Sequence, residues 1–96
     1  MKLLFTPRAK QDFREILDYI AQSRPLTASR VASRIREQCG KLRKFPEIGQ
    51  QRPEYAGNYR SFTIQRWVVF YRVANDVVEI HRILDGVRDI DQLLGG

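Results

Sequence analysis

The feature that most constrains the fold is a change in the spacing of apolar residues along the chain. Up to residue 45, apolar residues recur every three or four positions, which is the spacing of one face of an α-helix. From residue 59 to residue 84, the spacing changes to that of β-strands. A chain of 96 residues has room for one hydrophobic core. The sequence therefore predicts a single α+β domain, residues 1–96, in which a pair of helices precedes most of the sheet.

The first helix is predicted directly after a short apolar strand at Lys2–Phe5. Thr6 and Pro7 are residue types that favour a helix N-cap and the first helical position. The apolar stripe of this helix consists of Ala9, Phe13, Ile16, Leu17 and Ile20. Its polar side, which we expect to face water, carries Asp12, Arg14, Glu15 and Asp18.

A second helix is predicted from about Leu26 to Phe45. Its apolar positions are Ala28, Val31, Ala32, Ile35, Cys39, Leu42 and Phe45. Pro46 ends the pattern, because proline cannot continue a helix. The break between the two helices, around Pro25, is short, and a short connection favours an antiparallel helical hairpin.

Three strands are predicted after an irregular stretch, Glu47 to Gly57. They are Tyr59–Ile64, Trp67–Val73 and Val77–Leu84, and their short connections favour antiparallel neighbours. The order is β-α-α-β-β-β. One face of the sheet is expected to pack on the helical hairpin and the other to stay open to the tail or to a partner. The tail, Val87 to Leu94, is predicted to form one or two helical turns that dock on the sheet.

The basic residues are concentrated in the middle of the chain. The net charge is +6, and between Arg24 and Arg72 eleven Lys and Arg stand against three Glu. Such a segment favours an acidic partner, either nucleic acid or protein, although it also serves simply as a solvated surface. Thirteen Arg against four Lys favours bidentate binding of carboxylates and phosphates.

Arginines on three successive strands are the strongest candidate site. Arg60, Arg72 and Arg82 gather on the sheet if the strands pair in register, and together they would bind an anion. The alternative is that each pairs with a nearby acid such as Glu79 or Asp89. His81 lies among them, and it is either a general acid or base or a sheet-surface residue with a structural hydrogen bond; a neighbouring carboxylate would favour its charged form. On its strand we expect Val77, Glu79 and Ile83 on the same side.

No metal or cofactor site is predicted. His81 and Cys39 are the only residues of their types, so no pair of them has ligand spacing. No glycine-rich phosphate loop is present in the sequence. The N-terminal apolar run of three residues is too short for a signal peptide, and no run reaches the ~20 apolar residues of a membrane helix, so a cytoplasmic protein is expected.

Four segments in order resemble the ParE branch of the ParE/RelE toxin superfamily of bacterial toxin–antitoxin modules. They are "FTPRAKQDFREILDYIA", "LRKFPEIGQQRPE", "YRSFTIQRWVVFYRV" and "VEIHRILDGVRDIDQLL". The spacing of Pro25, Ala28 and Arg30 also agrees. The resemblance covers nearly the whole chain and implies a β-α-α-β-β-β fold and a cytoplasmic toxin. It also implies an acidic, ParD-like antitoxin that wraps the toxin in a hetero-oligomer.

The resemblance implies two targets that must be distinguished. ParE-like proteins poison DNA gyrase, whereas RelE-like relatives cleave mRNA in the ribosome. RelE-like sites combine basic residues on the sheet with a tyrosine, histidine or further basic group in the tail. Arg60 and Arg82 fall on strands where such basic residues lie, but nothing after Arg88 is Tyr, His, Lys or Arg. A further departure is Asp85, where ParE chains often carry His.

The resemblance, together with the missing acid or base in the tail, therefore implies a non-enzymatic gyrase inhibitor without catalytic residues. The alternatives are a ribosome-dependent endoribonuclease and a degenerate toxin retained as a binding module or co-repressor subunit. The expected contacts with the target are Arg60, Arg72, Arg82 and Arg88. The expected contacts with the antitoxin are Ile16, Ile20, Arg34 and Phe70.

Overall fold

The computed structural model describes residues 1–86 and has the predicted α+β architecture. The elements in chain order are β1 (Lys2–Phe5), α1 (Pro7–Ala21), α2 (Pro25–Lys41), β2 (Gln50–Gln51), β3 (Arg60–Ile64), β4 (Trp67–Ala74) and β5 (Val77–Asp85). The sheet has the strand order β1-β5-β4-β3-β2. β1 is parallel to β5, and the other pairs are antiparallel. The predicted tail helix, with Arg88, lies outside the described residues.

The helical hairpin forms as the apolar spacing predicts. The Thr6 hydroxyl accepts a hydrogen bond from the Ala9 N–H at 3.1 Å, so it caps α1 as expected. Ile35, Cys39 and Leu42 are fully buried, and they pack with the sheet and with the apolar face of α1 in one core. Neither helix within residues 1–86 is long and apolar enough to cross a bilayer.

The end of the second helix differs from the prediction. α2 ends at Lys41 and not at Phe45. The N–H groups of Leu42, Arg43 and Lys44 bond to carbonyls three residues back, which tightens the chain into successive turns. Leu42 stays buried in this geometry. The turns therefore preserve the apolar contact after the α-helix has ended, which explains why the periodicity continued past it.

The strand β2 was not predicted. Gln50 and Gln51 lie in the stretch expected to be irregular, and they pair with Ser61 and Arg60 of β3. Two polar residues carry no detectable alternation, so only the pairing with β3 reveals them as a strand.

An irregularity in β5 changes the side of the sheet on which its residues lie. Phe70 pairs with Arg82 and Tyr71 with Ile80, so His81 is the extra residue of a β-bulge. Ile83 consequently returns to the core beneath the helices, whereas His81 packs against Tyr59 on the other side. The expectation that His81 and Ile83 share a side was wrong for this reason.

We expected the face of the sheet opposite the helices to stay open, but another part of the chain covers it. The segment 52–59 folds across it, and Tyr55 is buried with Phe70 and Leu84 in a second, smaller core. Tyr59 and Val68 pack against this core. A left-handed turn at Gly57 (φ 119°) and Asn58 (φ 57°) brings the chain back into β3. We call the surface formed by segment 52–59 and the adjoining side chains of β4 and β5 the loop face.

Candidate functional site

Among the predicted target contacts within residues 1–86, Arg82 is the most buried. Its Nε donates to one carboxylate oxygen of Asp12 at 2.7 Å, and its terminal nitrogen donates to the other at 3.0 Å. Both side chains are about one-tenth exposed, at 10% for Arg82 and 9% for Asp12. The hydrogen bond to Asp12 raises the pKa of Arg82, although burial opposes this effect. The guanidinium is therefore committed to a buried bidentate pair.

The same carboxylate also binds the main chain of the sheet. β1 ends at Phe5, and beyond it α1 lies against the edge of β5. The Ile83 N–H donates to Asp12 at 3.0 Å, and the Thr6 hydroxyl donates to the His81 carbonyl at 2.9 Å. Thr6 and Asp12 thus form hydrogen bonds with backbone groups of β5 at the edge that β1 does not cover.

The expectation that Asp12 faces water was wrong. Asp12 is three residues after Ala9 and four before Ile16, so it occupies a position within the apolar stripe. A carboxylate at such a position requires a buried partner, and Arg82 is that partner. The helical spacing therefore indicates that Asp12 is buried, but it does not identify Arg82 as its partner.

Four side chains meet on the loop face near the bulge. The Arg72 Nε donates to Glu79 at 3.2 Å, and the Arg72 guanidinium lies 5.3 Å from the centre of the Tyr59 ring. The Tyr59 and His81 rings are 5.0 Å apart. The Arg72 side chain is 41% exposed, so its other donors can reach a ligand from solvent.

The environment of His81 on this face disfavours its protonated form. Burial lowers the pKa of His81, and the positive charge of Arg72 lowers it further, while Glu79 opposes both effects. The His81 Nδ1 lies 3.9 Å from the Glu79 carboxylate and finds no hydrogen-bond partner among residues 1–86. Glu79 thus favours the charged form of this histidine, as expected of a neighbouring carboxylate, but burial and the arginine outweigh its effect on the pKa.

Arg60 holds the loop that precedes β2. One of its terminal nitrogens donates to the Glu47 carbonyl at 3.1 Å and to the Gly49 carbonyl at 2.9 Å. The buried Tyr71 hydroxyl donates to the Pro46 carbonyl at 2.7 Å and accepts the Gly49 N–H at 2.9 Å. Burial raises the pKa of Tyr71. A Cβ at Gly49 would lie only 2.5 Å from the Tyr71 hydroxyl, so this approach requires glycine.

The three strand arginines therefore do not gather into one cluster. Arg82 bonds to α1, Arg72 lies on the loop face, and Arg60 reaches the loop at residues 46–49. Pairing with a nearby acid, the alternative interpretation, applies to Arg72 through Glu79. Within residues 1–86, no group of three His, Cys, Asp or Glu side chains is arranged to hold a metal ion.

Sequence reasoning missed Arg52, which stabilises the segment 52–59. Its guanidinium lies 5.3 Å from the ring centres of both Tyr55 and Phe70. It also bonds to Glu54 at 2.9 Å and to Ser61 at 3.0 Å. No spacing in the sequence indicates this stack, because it joins a loop to two different strands.

The predicted antitoxin contacts lie in different environments. Ile16 and Ile20 are half-buried and line a groove beside the turn between β3 and β4. Arg34 is exposed on α2. Phe70 is fully buried beneath Tyr55 and presents no surface to a partner.

Comparison with known proteins identifies the family. The family model described as the ParE toxin of the type II toxin–antitoxin system parDE matches residues 3–90. Toxin ParE3 of Caulobacter vibrioides is 35% identical over 68 residues, which cover 71% of this chain and 68% of that toxin. Toxin RelE2 of the same organism is 34% identical over 87 residues, covering 91% and 97%. A solved chain of the chromosomal ParDE system from P. aeruginosa superposes with a TM-score of 0.77 at 26% identity, covering 88% of this chain and 95% of that one.

Proposed function

Since the chain belongs to the ParE toxin family of type II toxin–antitoxin systems, we propose that it arrests growth by inhibiting DNA gyrase and that a cognate ParD-like antitoxin neutralises it. The action is non-enzymatic: the toxin binds its target and performs no chemistry on it. We place toxin, antitoxin and target in the cytoplasm.

The observation that carries this proposal is the state of Arg82 and His81. RNA cleavage requires an accessible acid and base near the reacting phosphate. Arg82 is committed to Asp12 inside the protein, and the His81 ring packs against the Tyr59 ring at 5.0 Å. Residues 89–96 contain no Tyr, His, Lys or Arg that would replace them. These features support binding without cleavage.

The residues proposed to contact the target are Arg60, Arg72 and Arg88. Arg72 is the strongest of them, since its half-exposed guanidinium lies on the loop face beside an aromatic ring. Such a fork grips a carboxylate or phosphate. Arg82 acts indirectly, because its pair with Asp12 fixes α1 against the strand that carries His81. In this arrangement Arg82 is a positioning residue and not a contact.

A ribosome-dependent endoribonuclease is the second candidate. It is favoured by the similarity to a toxin named RelE2, which extends over nearly the full length of both chains. A degenerate toxin that serves only as a binding module or co-repressor subunit is the third.

Expression of the chain from an inducible promoter, with and without its antitoxin, separates the three candidates. A gyrase inhibitor stops growth and relaxes a reporter plasmid while the ends of cellular mRNAs stay unchanged. A ribosome-dependent nuclease stops growth and produces trimmed mRNAs. A binding module leaves growth unaffected. We expect the first result, with growth restored when the antitoxin is induced, and either of the others contradicts the proposal.

A further inference from the structure

The cations among residues 1–86 differ in whether they form an ion pair within the protein. Arginines on strands and loops are engaged within the protein: Arg52, Arg66, Arg72 and Arg82 each form an ion pair. The basic residues that stand around one groove at the side of the helical hairpin form no ion pair among residues 1–86; they are Lys10, Arg14, Arg36 and Arg43. We call this depression the basic groove.

The floor of the basic groove is apolar. It has a volume of about 620 Å³, and it lies where edge strand β1 meets the two helices. Its floor is formed by Leu3, Phe5, Phe13, Leu17 and Gly40. The Phe5 and Phe13 rings stack at 6.4 Å, and the Arg36 guanidinium lies 5.3 Å from the Phe13 ring centre. Apolar side chains of a ligand would be buried against this floor, and the four cations at the rim would surround them.

No acidic side chain of the described residues lines the basic groove. The groove that contains Ile16 and Ile20 differs in this respect. Its lining includes three acids, Asp12, Glu15 and Asp85, against two bases, Arg24 and Arg66. A mixed rim of that kind gives an acidic ligand little net attraction, whereas four cations on an apolar floor attract it strongly.

We propose that the basic groove binds an acidic, amphipathic segment of the antitoxin. This inference rests on the proposed function, and it moves the antitoxin contact away from Ile16 and Ile20. Apolar side chains of the segment lie on Phe13 and Leu17, and its Asp and Glu side chains meet Arg14, Arg36 and their neighbours. The attraction supplies a fast, salt-sensitive encounter, and the apolar floor slows dissociation.

The test uses the full chain and overlapping synthetic peptides that tile the cognate antitoxin. Binding is measured by fluorescence anisotropy at low and at high salt. We expect the tightest peptide to be rich in Asp and Glu and to lose affinity as salt rises. We also expect its Asn/Gln-substituted version to bind at least about tenfold more weakly. Equal binding of the acidic and amidated peptides would overturn the proposal.

A matched pair of charge reversals locates the site. Arg14→Glu with Arg36→Glu should weaken peptide binding about tenfold or more, because two attractive rim charges become repulsive. Arg8→Glu with Arg30→Glu makes the same change in net charge at exposed positions that line none of the three grooves. It should leave affinity within about twofold. An equal loss in both double variants, or a loss in the second alone, would overturn the assignment.

Gly40 offers a steric test that does not depend on charge. A Cβ at this helical position meets no atom within 4 Å. Gly40→Leu therefore projects a side chain into the groove, while leucine favours the helix more than glycine does. We expect the variant to melt no lower than the wild type and yet to lose peptide binding, with Gly40→Ala losing little. Undiminished binding by a folded Gly40→Leu variant would contradict the proposal.

Growth measurements separate this inference from the function on which it rests. Cells that express Arg14→Glu with Arg36→Glu should be arrested even when the antitoxin is present. If the wild type is neutralised and this double variant is neutralised equally well, the groove assignment fails and the toxin–antitoxin function stands. If the wild type neither arrests growth nor binds the antitoxin, the proposed function itself fails.

Discussion

At the scale of single residues, one buried carboxylate determines how the helical hairpin sits on the sheet. Asp12 accepts three hydrogen bonds, two from Arg82 and one from the Ile83 N–H. A buried ion pair is not in itself strongly stabilising, since desolvation offsets the attraction, but removing one partner leaves a buried charge unpaired. Substitutions at these residues should therefore lower the free energy of unfolding more than substitutions of surface arginines do.

Arg82→Ala should lower the free energy of unfolding by about 3–5 kcal/mol, because Asp12 would remain buried without its cation. Arg72→Ala is the matched control on the loop face, where the pair with Glu79 is about one-third exposed or more and contributes at most about 1 kcal/mol. Urea unfolding followed by circular dichroism measures both. We further expect Arg72→Ala to reduce toxicity while the protein stays folded. Equal destabilisation by the two substitutions would show that the buried pair does not have the role assigned to it.

His81 should make stability depend on pH in a predictable direction. Burial and the nearby arginines lower its pKa below the ordinary 6.5, so the unfolded chain binds a proton more readily than the folded one. Stability contributed by the neutral ring is present above the unfolded pKa. It is lost as pH falls from about 6.5 toward the lowered folded value.

Melting temperatures of the wild type and of His81→Gln, measured between pH 8 and pH 5, test this. The wild type should lose more stability than the variant as the pH falls through that window. Parallel curves would mean that His81 does not titrate differently in the folded state. Toxicity of His81→Gln should stay near that of the wild type, since this histidine has no chemical role in gyrase inhibition.

At the scale of elements, the packing of the helical hairpin against the sheet forms the main core and stabilises the fold. Ile35 is fully buried among residues from α1, β4 and β5. Ile35→Ala should cost about 2–4 kcal/mol, from lost transfer energy and the cavity left behind. Urea midpoints measure the cost. A loss below about half a kcal/mol would mean that the buried face of α2 has been assigned wrongly.

Elements with a regular spacing of apolar residues were predictable from the sequence. Elements that depend on a single long-range contact were not. Helical spacing identified α1 and α2, and strand spacing identified β3, β4 and β5 to within a few residues. β2 and the segment 52–59 carry no period, since Gln50 and Gln51 are ordered by β3, and Arg52 by Tyr55 and Phe70. The bulge at His81 escaped prediction for the same reason, and it reversed the expected side of Ile83.

The candidate site was predictable in composition but not in geometry. The excess of arginine indicated anion binding, yet the positions of Arg60, Arg72 and Arg82 on successive strands did not show that their side chains reach three separate places. The basic groove escaped notice because its parts come from β1, α1 and α2. In the sequence, the apolar residues of its floor are indistinguishable from core residues. Its cations have the spacing of the solvent-exposed sides of two helices.

At the scale of the whole molecule, charge and contacts distinguish two surface regions, for which we propose different partners. The loop face presents Arg72 with an aromatic neighbour, and the basic groove at the edge of the sheet presents cations that form no ion pair with the described residues. We expect the target at the first and the antitoxin at the second. Neutralisation would then follow from an antitoxin that is anchored in the groove and extends across the loop face.

The central claim is that this ParE-family toxin acts by binding gyrase and not by cutting RNA. The most direct measurement is gyrase supercoiling of relaxed plasmid DNA with purified chain. It is run beside ribosomes carrying a labelled mRNA, each with and without antitoxin. Supercoiling should be blocked, restored by the antitoxin, and less affected by Arg72→Ala, while the mRNA remains intact. Unimpaired supercoiling together with cleavage of the ribosome-bound mRNA, abolished in His81→Gln, would contradict the account and identify the histidine as a catalytic group.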